Sequence, residues 1–260
     1  MGGNISMKKD LREKDDAVSP VIALMLILAI LATCMAVYTT TYVPGLKQQD
    51  EITHTGEVKL AFERFAADID NTIAQGKPAV YTEVLELGGG DVPLSPTKSS
   101  GTIEINQSVV GNYTIGTGTP IDLYSIEISY QPSFTAWEKQ GYLYKNGVVW
   151  IVKDEKKTPS ALKLYNIEDG LEQENDTVVK WFSPTVTDGV LTIPQFSVGD
   201  DCEITGTTTV KLRLHATVDN QNLDPSSTSV KITTANDTVI THSDIDTIRF
   251  LNIEVLKQET

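Results

Sequence analysis

Few residues of this chain have types and spacings that could do chemistry. The three histidines, His54, His215 and His242, fall in different predicted elements and never in the HExxH spacing that sets two imidazoles on one helix face around zinc. Ser95-Pro96-Thr97-Lys98 and Ser160-Ala161-Leu162-Lys163 both fit SxxK, in which a lysine activates a serine, but the companion elements of that active site do not accompany them. There is no GxSxG elbow and no paired cysteine and histidine set for zinc. Asp219-Asn220-Gln221-Asn222-Leu223-Asp224 and Asp200-Asp201-Cys202-Glu203 offer the oxygen ligands that calcium takes, yet neither follows the EF-hand loop, and Asp and Asn are ordinary turn formers. Gly116-Thr117-Gly118 lacks the strand-to-helix setting of a phosphate cradle. The histidines read as surface or loop residues, and the expectation is a protein that is not an enzyme and needs no cofactor or metal.

Modification chemistry is better motivated. Asn106-Gln107-Ser108, Asn112-Tyr113-Thr114, Asn175-Asp176-Thr177 and Asn236-Asp237-Thr238 are acceptor sequons for N-glycosylation, all in or beside loop-like sequence. They can be used only if that part of the chain is exported, which depends on the element before it.

That element is residues 17–43, AVSPVIALMLILAILATCMAVYTTTYV, which carries no charged residue. Its apolar core from Val21 to Tyr38 is interrupted only by Thr33 and Cys34 and, at a helical rise of about 1.5 Å per residue, covers ~27 Å of bilayer. Its Leu, Ile and Val side chains together favour lipid by roughly 3 to 5 kcal/mol, with no charge opposing them. Lys8, Lys9, Arg12 and Lys14 precede the span, while Lys47 and Lys59 follow it, so the N-terminus reads as cytoplasmic and residues 44–260 as exported. The core is too long for a cleaved secretory signal, and LATCMA sits inside it rather than after it. A lipoprotein site at Cys34 is disfavoured by Thr33 before it. Cys34 and Cys202 lie on different sides of this boundary and cannot pair, so the exported part relies on burial.

The chain has 260 residues and a net charge of -14, all of it beyond the span because the N-terminal tail balances its charges. Such acidity repels phosphate backbones and argues against nucleic acid as a partner. Ser19 can cap a helix and Pro20 suits its first position, so a helix can start there. Pro44-Gly45 is expected to kink or end it. Val58, Phe62, Phe65, Ile69 and Ile73 then recur at spacings of four, three, four and four, predicting an amphipathic helix over residues 44–77 that Gln75-Gly76-Lys77-Pro78 stops. From Ala79 the period changes to two. Asn146-Gly147 between Tyr142-Leu143-Tyr144-Lys145 and Val148-Val149-Trp150-Ile151, and Asp188-Gly189 before Val190-Leu191-Thr192-Ile193, are hairpin signals. About a dozen strands are expected, in a mainly antiparallel β-sandwich-like domain over residues 78–260. The acidic run at 168–176 is either a long loop or a boundary between two subdomains. The fold class is therefore α+β.

Asp15-Asp16-Ala17-Val18-Ser19-Pro20-Val21-Ile22 and the apolar run after it resemble the N-termini of archaeal type IV pilins and pilin-like proteins, which read AVSPVIG before a hydrophobic helix. Asp16 stands where many members have Lys or Arg, and Ala23 where many have Gly. Gly141 to Val149, together with Glu83-Val84-Leu85-Glu86-Leu87 and Gln75-Gly76-Lys77-Pro78, resemble a group of archaeal pilin-like surface proteins more loosely. The resemblance implies residues 1–17 as a class III signal peptide cut by a prepilin peptidase between Ala17 and Val18, and residues 18–43 as a transmembrane and assembly helix. It implies a subunit, major or minor, of a type IV pilus-like surface filament with a role in surface structure or adhesion. Its partners would be the membrane, other pilin subunits and the pilus assembly machinery. The alternative is a signal-anchored cell-surface binding protein that does not polymerise.

Overall fold

The computed structural model describes residues 7–89, 92–93, 95, 97–145, 147–160, 186–199, 202–224, 228–234 and 239–259, with side chains from Pro20 onward except those of Cys202, Thr234 and Glu259. Helix α1 (Met7–Val37) passes into a π-helical turn (Tyr38–Tyr42) and then into α2 (Val43–Gln75). The helix therefore does not begin at Ser19 and Pro20. Pro20 lies inside α1, because Leu11, Arg12, Glu13 and Lys14 are good helix formers and carry the helix through it. Nor does Pro44-Gly45 end the helix. Pro44 has no N–H to give to the carbonyl four residues back, and the chain absorbs this by widening the turn before it, where the Val43 N–H reaches the Tyr38 carbonyl, five residues back. Thr39 and Thr40 hydroxyls donate to the Met35 and Ala36 carbonyls in the same region at 3.0 and 2.7 Å. Gly76 then stops α2 in the left-handed conformation, φ 56°, its N–H on the Thr72 carbonyl at 3.0 Å.

The two halves of this helix differ in what covers them. From Pro20 onward the structure has a helix long and apolar enough to cross a membrane, and its most apolar window is covered by nothing among the described residues. Val58, Phe62, Phe65 and Ile69 of α2 are instead buried against strands, and Ile73 is partly so. Phe62 tilts against Tyr142 with ring centroids 6.0 Å apart, and Phe65 meets Tyr144 edge to face at 5.9 Å, pairs worth about 0.5 to 1.5 kcal/mol each beyond their burial.

The strands after α2 are β1 (Ala79–Glu86), β2 (Ser100–Ile115), β3 (Ile121–Ser133), β4 (Gln140–Lys145), β5 (Val148–Lys153), β6 (Lys156–Pro159), β7 (Val186–Thr187), β8 (Val190–Val198), β9 (Cys202–Gly206), β10 (Thr209–Asn222), β11 (Val230–Thr234), β12 (Val239–His242) and β13 (Thr247–Glu259). Among the described residues they form two sheets, one ordered β1-β10-β13-β8-β7 and one ordered β12-β11-β2-β3-β4-β5-β6, with β9 paired to β2. Pairing is antiparallel except between β13 and β8. Both expected hairpins form: Gly147 (φ 77°) joins β4 to β5, and Asp188 and Gly189 (φ 52° and 74°) join β7 to β8. The β2 strand is long enough to take β9 on its first half and β11 on its second, with a register shift between Val109 and Gly111.

One apolar core runs through both sheets and α2. On one side the sheets meet directly, β8 against β2 and β3. On the other side α2 lies between them, touching β1 of the first sheet and β4 and β5 of the second. The acidic run at 168–176, and with it the possible subdomain boundary, lies outside the described residues.

Candidate functional site

A group of buried polar residues converges where α2 leaves the apolar half of the helix. Going backwards from Val58, the four-and-three spacing continues through His54, Glu51 and Lys47, so these three side chains occupy the same buried face one turn at a time. Their exposures are 4%, 0% and 4%. Charged groups are rarely buried to this degree unless they are paired or hydrogen-bonded, and each of these reaches across to the β-rich part of the chain.

Glu51 is the centre of the clasp. Its Oε1 accepts from the Ser99 hydroxyl, from the Thr135 N–H at 3.0 Å and from the Thr135 hydroxyl at 3.4 Å, while Oε2 accepts from the Ala136 N–H at 2.9 Å. Burial pushes the carboxyl up, but the Ser99 hydroxyl and the Thr135, Ala136 and Trp137 N–H groups outweigh it and hold Glu51 below its ordinary value. Glu51 thereby ties α2 to the segment before β2 and to the connection between β3 and β4. One turn earlier, the Lys47 ammonium donates to the carbonyl and to the hydroxyl of Thr97, both at 2.7 Å.

One turn later, His54 Nε2 lies 3.1 Å from the Tyr130 hydroxyl, and that hydroxyl donates to the Leu87 carbonyl at 3.0 Å. Tyr130 has one proton to give, so its oxygen accepts from His54, which fixes the imidazole as the Nε2–H tautomer. Burial holds His54 below its ordinary value, against the pull of Glu57, Glu86, Asp50 and the Leu87 backbone. Burial also pushes the Tyr130 phenol up, well out of reach of physiological pH. Gly89 packs on the His54 ring so closely that a Cβ there would lie 2.9 Å from it, and a Cβ on Gly101 would lie 2.5 Å from both the Leu87 carbonyl and the Tyr130 ring. Further along, the Tyr142 hydroxyl donates to the Thr55 carbonyl at 3.1 Å, and the Ser160 hydroxyl donates to Glu63.

This arrangement has the chemistry of a fastening: Lys47, Glu51 and His54 each place polar atoms on the β-rich part of the chain. Beside it, two adjoining clefts of about 360 and 330 Å3 run between α2 and β1 and share His54, Glu57 and Glu86.

His54 was expected at the surface or in a loop and is instead buried. The correction has a readable cause, since His54 lies in register with the apolar stripe. His215 is on β10, with Nδ1 4.0 Å from Glu254. Asp219, Asn220 and Asn222, considered above as calcium ligands, are on β10 and accept from Asn252, Arg249 and Thr247 of β13 at 2.9, 3.4 and 3.1 Å. Asp200 and Asp201 lie outside the described residues. Of the sequons, Asn106 and Asn112 are not in loops but on β2, Asn106 exposed and Asn112 half-buried between β3 and β11. Asn175 and Asn236 lie outside the described residues. Ala17, Val18 and Ser19 fall in α1, whose backbone alone is described there, and Pro20 is exposed.

Compared with protein-family models, with curated proteins and with solved structures, the chain matches none.

Proposed function

We propose that this chain is a pilin-like subunit of an archaeal type IV pilus-like surface filament, or a minor component of one. The observation that carries this reading is the division of one continuous helix: an apolar half that nothing among the described residues covers, and a half held along several turns to a β-rich body. An anchor needs only the first half and tolerates a loose joint after it. A subunit that polymerises through its helix needs the second half as well, because the position of the helix in a filament must fix the position of the body.

In this reading a prepilin peptidase cuts between Ala17 and Val18, leaving Ser19 and Pro20 at the start of the mature helix. Residues 18–43 hold the subunit in the membrane until the assembly machinery extracts it, and the apolar surface that faced lipid then faces other subunits. The amphipathic continuation lies on a sandwich of the two sheets, with the body outside the cell. Sequencing the N-terminus of the surface-exposed protein tests the processing step, and recovery in mechanically sheared filaments tests assembly. A signal-anchored binding protein that does not polymerise would start at Met1 or Gly2 and stay with the membrane.

A further inference from the structure

With a net charge of -14, copies of this chain repel one another unless their contacts set cations against carboxylates. The charges around α2 are arranged for that. Glu57 and Lys59 are two residues apart and so point about 200° away from each other around the helix. On the Glu57 side lie the clefts against β1, where Asp50, Glu57, Glu83 and Glu86 outnumber Arg64 and Lys98. Burial first, and then Asp68, push the Glu83 carboxyl up against the pull of Arg64. The β1 strand is also the last in its sheet, with β10 on one side and no strand on the other among the described residues.

On the Lys59 side lie β4, β5 and β6, fastened to α2 through Ser160 and Glu63. Between positions 138 and 157 five lysines (139, 145, 153, 156 and 157) stand against three carboxylates, a local excess of cations in an acidic chain. Glu138 is taken by Lys153, and Lys145 lies 3.3 Å from Glu127. Lys156 and Lys157 open β6, the strand that ends the second sheet among the described residues, and both are exposed.

We propose that the acidic cleft between α2 and β1 receives the Lys156–Lys157 edge of a second copy of this chain. One flank of the helix is acidic and the opposite flank basic, so the contact is between unlike surfaces. Such contacts repeat head to tail instead of closing into a dimer. The proposal deepens the filament reading and rests on it, since it names the surfaces by which neighbouring subunits meet.

The test uses the full chain in its own cells. Glu57→Lys with Glu86→Lys, and separately Lys156→Glu with Lys157→Glu, are expected to lower recovery in the sheared fraction at least fivefold, and all four changes in one chain to restore it to within twofold. These residues are exposed, so the fold is expected to be retained, and near-UV circular dichroism of the detergent-extracted chain checks this. In parallel, Glu86→Cys with Lys157→Cys in one chain is expected to give an oxidised ladder of dimers and higher multimers that neither single variant gives. Filaments unaffected by the charge changes, or no ladder beyond that of the single variants, overturn the proposal while leaving the filament reading intact. A ladder confined to the membrane fraction, with no filament recovered, supports the contact and overturns the filament reading.

Discussion

Glu51 on α2 and Ala136 between β3 and β4 are joined by a hydrogen bond of 2.9 Å across 85 positions of sequence. The bond shows how the helix is tied to the body: a fully buried carboxylate supplies acceptors that the chain's own loop N–H groups fill. Hydrogen bonds to a charged group are worth about 1.5 to 3 kcal/mol, and stranding the donors costs as much again in desolvation. Glu51→Ala should therefore destabilise the detergent-solubilised chain by on the order of 3 kcal/mol in denaturant unfolding, and Glu51→Gln by less, because an amide keeps one acceptor oxygen. Because the folded Glu51 sits below its ordinary value of 4.5, its contribution is full above that value and is lost as pH falls through the lower folded value. The loss should be missing from the Glu51→Gln profile.

His54 gives a second, separable pH dependence. Its folded state disfavours the proton, so the unfolded chain binds more protons below the ordinary value of 6.5. Stability conferred by His54 is complete above 6.5 and falls as pH drops below it, levelling off beneath the folded value. The groups facing it are Asp50 and Glu57 on α2, Glu86 on β1, Tyr130 on β3 and Lys98 across the cleft. The carboxylates and Lys98 move the folded value within this window but do not reverse the sign. Unfolding midpoints of wild type and His54→Gln, measured between pH 5 and 7.5, should converge toward the acid end.

Two glycines should respond to alanine in opposite directions. Gly56 is within α2 and a Cβ there meets nothing within 4 Å, so Gly56→Ala should stabilise by about 0.8 to 1 kcal/mol through helix propensity alone. Gly101 on β2 has no such room, with the Leu87 carbonyl and the Tyr130 ring 2.5 Å from a Cβ. Gly101→Ala should cost about 1 to 3 kcal/mol, as over-packing does, and should shift the tyrosine signal in near-UV circular dichroism.

The apolar half of the contact is tested by Ile69→Ala and Phe62→Ala. Both side chains are buried under the sheets, and the losses should fall near 2 to 5 and 3 to 5 kcal/mol respectively. Substituting the exposed Leu60 with alanine on the same helix should change stability by less than about 0.5 kcal/mol.

How much of this was legible in the sequence depended on which physical signal each element carries. The apolar stripe of Val58, Phe62, Phe65 and Ile69 and the hairpins at Asn146-Gly147 and Asp188-Gly189 were readable because periodicity and turn chemistry are local. The hairpin between β5 and β6 was not, since Asp154 and Glu155 take φ 48° and 66° without a glycine to announce it. The π turn could not be read either: Pro44 declares that a bond is missing, but not that the chain will answer by widening a turn rather than ending the helix. Lys47, Glu51 and His54 were hidden by residue type. Their register matched the stripe, but a hydrophobicity pattern scores charged residues as surface, and only the N–H groups of Thr135 and Ala136, far away in sequence, make burial of Glu51 tolerable. The parallel pairing of β13 with β8 likewise has no local signature.

We propose that the apolar half of the helix is an assembly element produced by cleavage before it, and sequencing the N-terminus of the protein recovered in sheared surface filaments tests this most directly. A mature chain beginning Val18-Ser19-Pro20 is expected, and a surface-exposed chain that still begins at Met1 or Gly2 would contradict it.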